Sequence, residues 1–159
     1  MDLEEAYDRY AAPLYRHALA ITRSRPDAED AVQNAFVKLA LRREARAAIA
    51  DLEAYLHVAV RRESLRLLDR LDRRRRAPLE AAAEPTFVAP LDGLTFEEVE
   101  GLNLALASLP EEQREVVLLH NYEGMTFRRI GEVLGIPADT AASRHRYALA
   151  KLKERLDGR

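Results

Sequence analysis

Thr126-Phe-Arg-Arg-Ile-Gly-Glu-Val-Leu-Gly-Ile-Pro-Ala-Asp-Thr-Ala-Ala-Ser-Arg-His-Arg-Tyr147 is the stretch whose reading decides the fold. Phe127, Ile130, Val133 and Leu134 recur at three- and four-residue spacing, which is one apolar face of a helix. Thr126 stands where its hydroxyl can accept from a free N–H of the opening turn. Gly135 stands where a helix ends in the left-handed conformation, and Pro137 keeps that helix from continuing. A second helix is predicted from about Ala138 to Leu156, with Ala141, His145, Ala148 and Leu152 on its inner face. Its outer face carries Ala142, Ser143, Arg146 and Tyr147, flanked by Arg144. A short helix, a glycine turn and a longer helix with a polar, basic outer face is the geometry of helix-turn-helix DNA readers. An ordinary helical hairpin with a solvated basic face has the same pattern, so this stretch alone leaves both readings open.

The chain of 159 residues has room for one or two small domains. Ala, Leu, Arg and Glu dominate and Gly is sparse, so the expected class is all-α. With no Cys and four scattered His, disulfides, thiol chemistry and a metal site are not expected, and no cofactor is called for. No apolar run approaches the ~18 residues of a membrane span, and the acidic N-terminus is unlike a signal peptide. The expected location is therefore cytoplasmic, without membrane insertion. No nucleophile–base pair or phosphate-binding Gly loop is visible, so an enzyme is not expected.

The net charge of -2 hides a strong segregation. Residues 42–76 hold eleven Arg against six acids, 80–123 hold ten acids against Arg114 alone, and 128–159 hold eight bases against four acids. Local fields decide docking, so two basic zones around an acidic middle are compatible with nucleic-acid binding. Upstream, Leu3–Ala11 reads as a short helix, and Pro13 as the opening of a second. Asp27 to about Arg43 reads as a third, with Ala28, Ala31, Val32, Ala35, Phe36 and Leu39 inward. Leu52 to about Arg73 is a long Arg-rich helix with Tyr55 and His57 near its start, and Arg with aromatics suits single-stranded nucleic acid. Pro78, Pro85 and Pro90 mark an extended acidic linker. Beyond it come a helix from Leu94 to Ser108 and another opened by Pro110 at its first position, with Val116, Val117 and Leu119 inward.

Two stretches in order resemble the extracytoplasmic-function class of bacterial RNA polymerase sigma factors. Leu109-Pro-Glu-Glu-Gln-Arg-Glu-Val-Val-Leu-Leu-His, Tyr122-Glu-Gly-Met-Thr-Phe and the helix-turn-helix are similar to the family's region four. Asp27-Ala-Glu-Asp-Ala-Val-Gln-Asn-Ala-Phe, then Tyr55-Leu56 and the Arg-rich helix ending in Arg73–Arg76, are similar to its region two. The resemblance implies two helical domains, 1–76 and 94–159, joined by the linker 77–93. It implies that Asp27, Glu29, Asp30 and Gln33 face the β′ clamp helices of core RNA polymerase, with the β flap as a further contact of the enzyme. Tyr55, His57, Arg61, Arg62 and Arg66 would meet the melted minus-ten element. Thr140, Ala142, Ser143, Arg144, Arg146 and Tyr147 would meet the minus-thirty-five element of promoter DNA. An anti-sigma factor is an expected partner. Ala142 stands where the family usually carries a base, and His145 where it carries an apolar residue, which predicts a thinner base-reading set and a weak point beneath it. The competing readings are a stand-alone helix-turn-helix regulator and a sigma-like protein that sequesters a polymerase component.

Overall fold

The computed structural model describes residues 1–74, 86–88 and 92–158, leaving aside the side chains of Ala45 and of residues 71–74. The Arg73–Arg76 side chains and most of the linker therefore lie outside the described residues. Every regular element among the described residues is helical. Helix α1 spans Leu3–Thr22, α2 Arg25–Leu41, α3 Arg43–Ala47 and α4 Leu52–Arg74. After the linker come α5 (Phe96–Ala107), α6 (Glu111–Val117) with a π-helical turn over Leu118–Tyr122, α7 (Phe127–Leu134) and α8 (Ala138–Asp157).

The helix starts follow local chemistry. Asp2 and Glu5 form a reciprocal capping box at α1, and Thr95 and Glu98 form another at α5. Ser24 caps α2, so the helix starts at Arg25, two residues before the expected Asp27, with Pro26 in the first turn, where its missing N–H costs nothing. Pro110 is the cap of α6 and not its first residue.

The expected break at Pro13 is absent: α1 runs straight through it. An interior proline costs a helix about 3 kcal/mol. Here Leu14, His17, Ala18, Leu19 and Ile21, all just beyond the proline, are buried, and that burial outweighs the lost hydrogen bond.

α1, α2 and α4 pack on one another, with Leu14, Ala18, Val32, Phe36, Leu39, Leu56 and Val60 in the shared core. That core does not stop at the first half. It continues through Leu106, Leu109, Val117 and Leu118 to Ala148 and Leu152 of α8, and α1 packs against α6. A second cluster, Val116, Leu119, Met125, Ile130, Val133, Leu134 and Ala141, lies under the helix-turn-helix, and Ala54 and Val58 of α4 pack against it. The two halves thus meet along α1 and α4. No described helix is long and apolar enough to cross a membrane.

Candidate nucleic-acid interface

The turn between α7 and α8 is built as the spacing predicts. Thr126 accepts from the Arg129 N–H at 3.1 Å, and Gly135 takes φ 70°. The Ile136 N–H then returns to the Gly131 carbonyl at 3.0 Å. Gly131 is needed for a different reason. A Cβ there would sit 2.6 Å from the Ile136 carbonyl oxygen, so only hydrogen lets α7 and the turn approach this closely.

This turn presents the outer face of α8. Arg146 and Tyr147 are exposed, the tyrosine 58%, and the Arg146 guanidinium lies 5.5 Å from the Tyr147 ring centroid. Thr140, Ala142 and Ser143 are half-buried beside them. Arg144 leans back onto α6, its Nη2 3.7 Å from a Glu112 carboxylate oxygen. The inner face carries His145, whose Nε2 lies 2.6 Å from Asn121 Oδ1 and whose ring meets the edges of His120 and Phe127. Burial, then the neighbouring His120, lowers the His145 pKa, so the ring is a neutral, partnered part of the core.

The five candidate residues of α4 fall on two stripes. Tyr55, Arg62 and Arg66 share one, since seven and eleven residues are nearly whole numbers of turns. Arg62 and Arg66 are exposed and Tyr55 packs half-buried on the core edge. Arg66 is tied to Glu63, which Lys38 also contacts. His57 and Arg61 lie on the other stripe, with Ala54 and Val58, and that stripe faces the second half. His57 is 1% exposed, so in this arrangement it can touch no DNA. Its Nδ1 lies 2.9 Å from His17 Nδ1, and His17 Nε2 lies 2.8 Å from Glu115 Oε1. Arg61 Nε donates to the same oxygen at 2.8 Å. On α2, Glu29, Asp30 and Gln33 are exposed and Asp27 half-buried, beside a groove lined by Tyr7, Tyr15 and Val32. Val32 and Phe36 point into the core, as their spacing predicts.

Sequence reading missed the polar contact between the halves. Besides Glu115, Arg16 donates to both Glu123 oxygens at 2.5 and 3.2 Å and lies over the Tyr122 ring. Arg129 donates to Asp51 at 2.9 Å and approaches Glu53 at 3.5 Å. Arg114, buried, donates to the Ala20, Ala107 and Leu109 carbonyls. Its one signal was being the lone base of an acidic stretch. The linker, too, is anchored: Asn103 Oδ1 accepts from the Phe87 and Val88 N–H groups at 2.7 and 3.0 Å, and its Nδ2 donates to the Val88 carbonyl.

Residues 6–75 match the family described as Sigma-70 region 2, and residues 105–154 match Sigma-70, region 4. The chain belongs to the sigma-70 family. Along its length it is 29% identical over 160 residues to the ECF RNA polymerase sigma factor SigE of Mycolicibacterium smegmatis, covering 96% of this chain and 61% of that protein. It is 37% identical over 68 residues to the RNA polymerase sigma factor FliA of Pseudomonas aeruginosa, covering 42% and 28%. The chain thus spans less than two thirds of the length of these relatives. Its fold matches the sigma factor RpoE crystallised with the anti-sigma factor NepR from Bartonella quintana, with TM-score 0.79, 21% identity, and 97% and 96% of the two chains covered. It also matches CnrH in complex with the cytosolic domain of CnrY, with TM-score 0.67, 21% identity, and 98% and 88% covered. The region 2 match thus runs over α1 to α4, and the region 4 match from the end of α5 into α8.

Proposed function

We propose that this chain is an extracytoplasmic-function sigma factor that binds core RNA polymerase in the cytoplasm and directs it to promoters, adding no chemistry of its own. The observation that supports this most is the pairing of both sigma-70 regions in one chain, in order, with Arg146 and Tyr147 exposed on the second helix of the helix-turn-helix. The working division is 1–76 for core binding and the minus-ten element, 77–93 for the linker and 94–159 for the minus-thirty-five element. Asp27, Glu29, Asp30 and Gln33 would face the β′ clamp helices, and region four the β flap. Tyr55, Arg62 and Arg66 would meet the melted strand, joined by His57 and Arg61 only when the halves part. Thr140, Ala142, Ser143, Arg144, Arg146 and Tyr147 would meet the major groove, where a good bidentate base contact gives ~1–3 kcal/mol of discrimination. An anti-sigma factor is proposed as regulator, because the two solved structures that share the fold are complexes, RpoE with the anti-sigma factor NepR and CnrH with the cytosolic domain of CnrY.

The test is core-polymerase binding followed by promoter-selective transcription. Arg146→Ala is expected to keep core binding and lose promoter preference, whereas the combined Asp30→Arg, Gln33→Ala change is expected to lose core binding. Unchanged core affinity in the double variant would refute the region-two assignment. Tight, salt-insensitive duplex binding by the free chain would instead favour a stand-alone regulator, since phosphate-driven binding weakens steeply with salt.

A further inference from the structure

Two of the polar links between the halves meet on one buried carboxylate. Glu115 is fully buried, and its Oε1 accepts from His17 on α1 and Arg61 on α4. Its Oε2 is equally buried and has no hydrogen-bond partner among the described residues. Such an acceptor is a poor way to build a permanent core, because a buried unsatisfied group carries its full desolvation cost. It suits a contact that is made and broken, since water satisfies the second oxygen once the halves part. Around this centre the Arg16–Glu123 and Arg129–Asp51 pairs form a rim, and each pairs region two with region four. On the α4 side the captured donor is a guanidinium, which binds carboxylate and phosphate oxygens by the same charge-assisted geometry.

We propose that Glu115 is an internal stand-in for a nucleic-acid phosphate. In the closed chain it occupies Arg61 and, with His17 and His57, holds region four over one stripe of α4, so that the free chain binds single-stranded DNA weakly until the halves separate. The proposal rests on the reading of α4 as the minus-ten helix. Only the open fraction offers Arg61 and the surface beside it, and apparent affinity falls in proportion to that fraction. Arg62 and Arg66 stay exposed in both forms and supply the residual, salt-sensitive binding.

The experiment uses the full chain, a labelled oligothymidylate followed by fluorescence anisotropy, and small-angle scattering for compactness. Glu115→Gln keeps the side chain's shape and removes the charge. Arg129→Glu sets a third acid beside Asp51 and Glu53 at the rim and removes no hydrogen bond of the buried network, so it carries the test if Glu115→Gln does not fold. Either variant is expected to enlarge the radius of gyration and to tighten oligothymidylate binding about tenfold, the scale of one base-stacking contact. Adding Arg61→Ala is expected to remove most of that gain. A variant that expands but binds no more tightly than wild type overturns the proposal, and so does a pair of folded variants as compact as wild type. Promoter-directed transcription with core enzyme, run in parallel, separates the two readings. If wild type initiates while DNA affinity is unmoved in the variants, the latch alone is wrong. If wild type does not initiate, the sigma reading on which the latch stands is wrong.

Discussion

Acid is expected to weaken the junction between the regions, and His57 sets how much. Its ring is buried, and its pKa is lowered from 6.5 to about 3, first by burial and then by the charges of His17 and Arg129. The groups around it are His17 on α1, Glu115 of α6 behind that ring, Arg61 on its own helix and Arg129 of α7 with Asp51. Folding therefore favours the neutral imidazole, whereas a ring released to water regains its ordinary affinity for a proton. The stabilisation is complete above pH 6.5 and is lost as the pH falls from there toward 3. Between pH 7 and pH 5 the released ring gains about 2 kcal/mol of proton binding that the buried ring does not. Glu115 acts in the same direction lower down. Burial would raise its carboxyl, but His17 and Arg61 together hold it below 4.5, so its contribution is present above that value and lost beneath it. Guanidinium unfolding followed by helical circular dichroism at both pH values measures the effect. Wild type is expected to lose about 2 kcal/mol at pH 5, and His57→Asn less than half of that, whatever its starting stability. Equal stability at the two pH values, or the same loss in His57→Asn, would refute the reasoning.

Three further outcomes are expected. Gly131→Ala forces a methyl against the Ile136 carbonyl and the Ala138 amide, both backbone, and should destabilise by about 1–3 kcal/mol; an unchanged melting temperature would show that the turn can shift. His145→Leu should lower the melting temperature, by about 1 kcal/mol of stability, because it removes the bond to Asn121; a rise would show that apolar packing outweighs that bond, as the sequence pattern alone suggests. Asn103→Ala leaves two buried N–H groups unpartnered and should cost about 2 kcal/mol, with faster proteolysis beside Phe87; protease resistance equal to wild type would show that the Phe87 ring suffices as anchor.

What the sequence made legible was what local chemistry decides. Thr126, Gly135 and Pro137 specify the helix-turn-helix within a dozen residues, and the spacing of Val32, Phe36 and Leu39 identifies the inner face of α2. Pro13 misled because its cost is local while the burial that offsets it comes from α2, α4 and α6. The junction was illegible for the same reason. His17 and Glu115 are 98 positions apart, and His17 and His57 are 40 apart, so no window of periodicity joins them. His57 and Arg61 were read beside Tyr55 and Arg62 because an Arg-rich helix offers bases all round. Only packing shows that they share the Ala54–Val58 stripe.

The Asn103 clamp on Phe87 and Val88 also acts as a ruler. Eleven residues separate Arg74 from Thr86, and a chain of that length reaches roughly 40 Å at full stretch. Were the clamp released, the leash would run on to Thr95 and reach roughly 70 Å. Positions minus ten and minus thirty-five are about 25 base pairs apart, or roughly 85 Å along the duplex at 3.4 Å per step. A clamped leash leaves most of that distance to the bodies of the two regions, and a released one supplies most of it. If the chain reads promoters as proposed, one asparagine on α5 would set how far apart its two regions can reach.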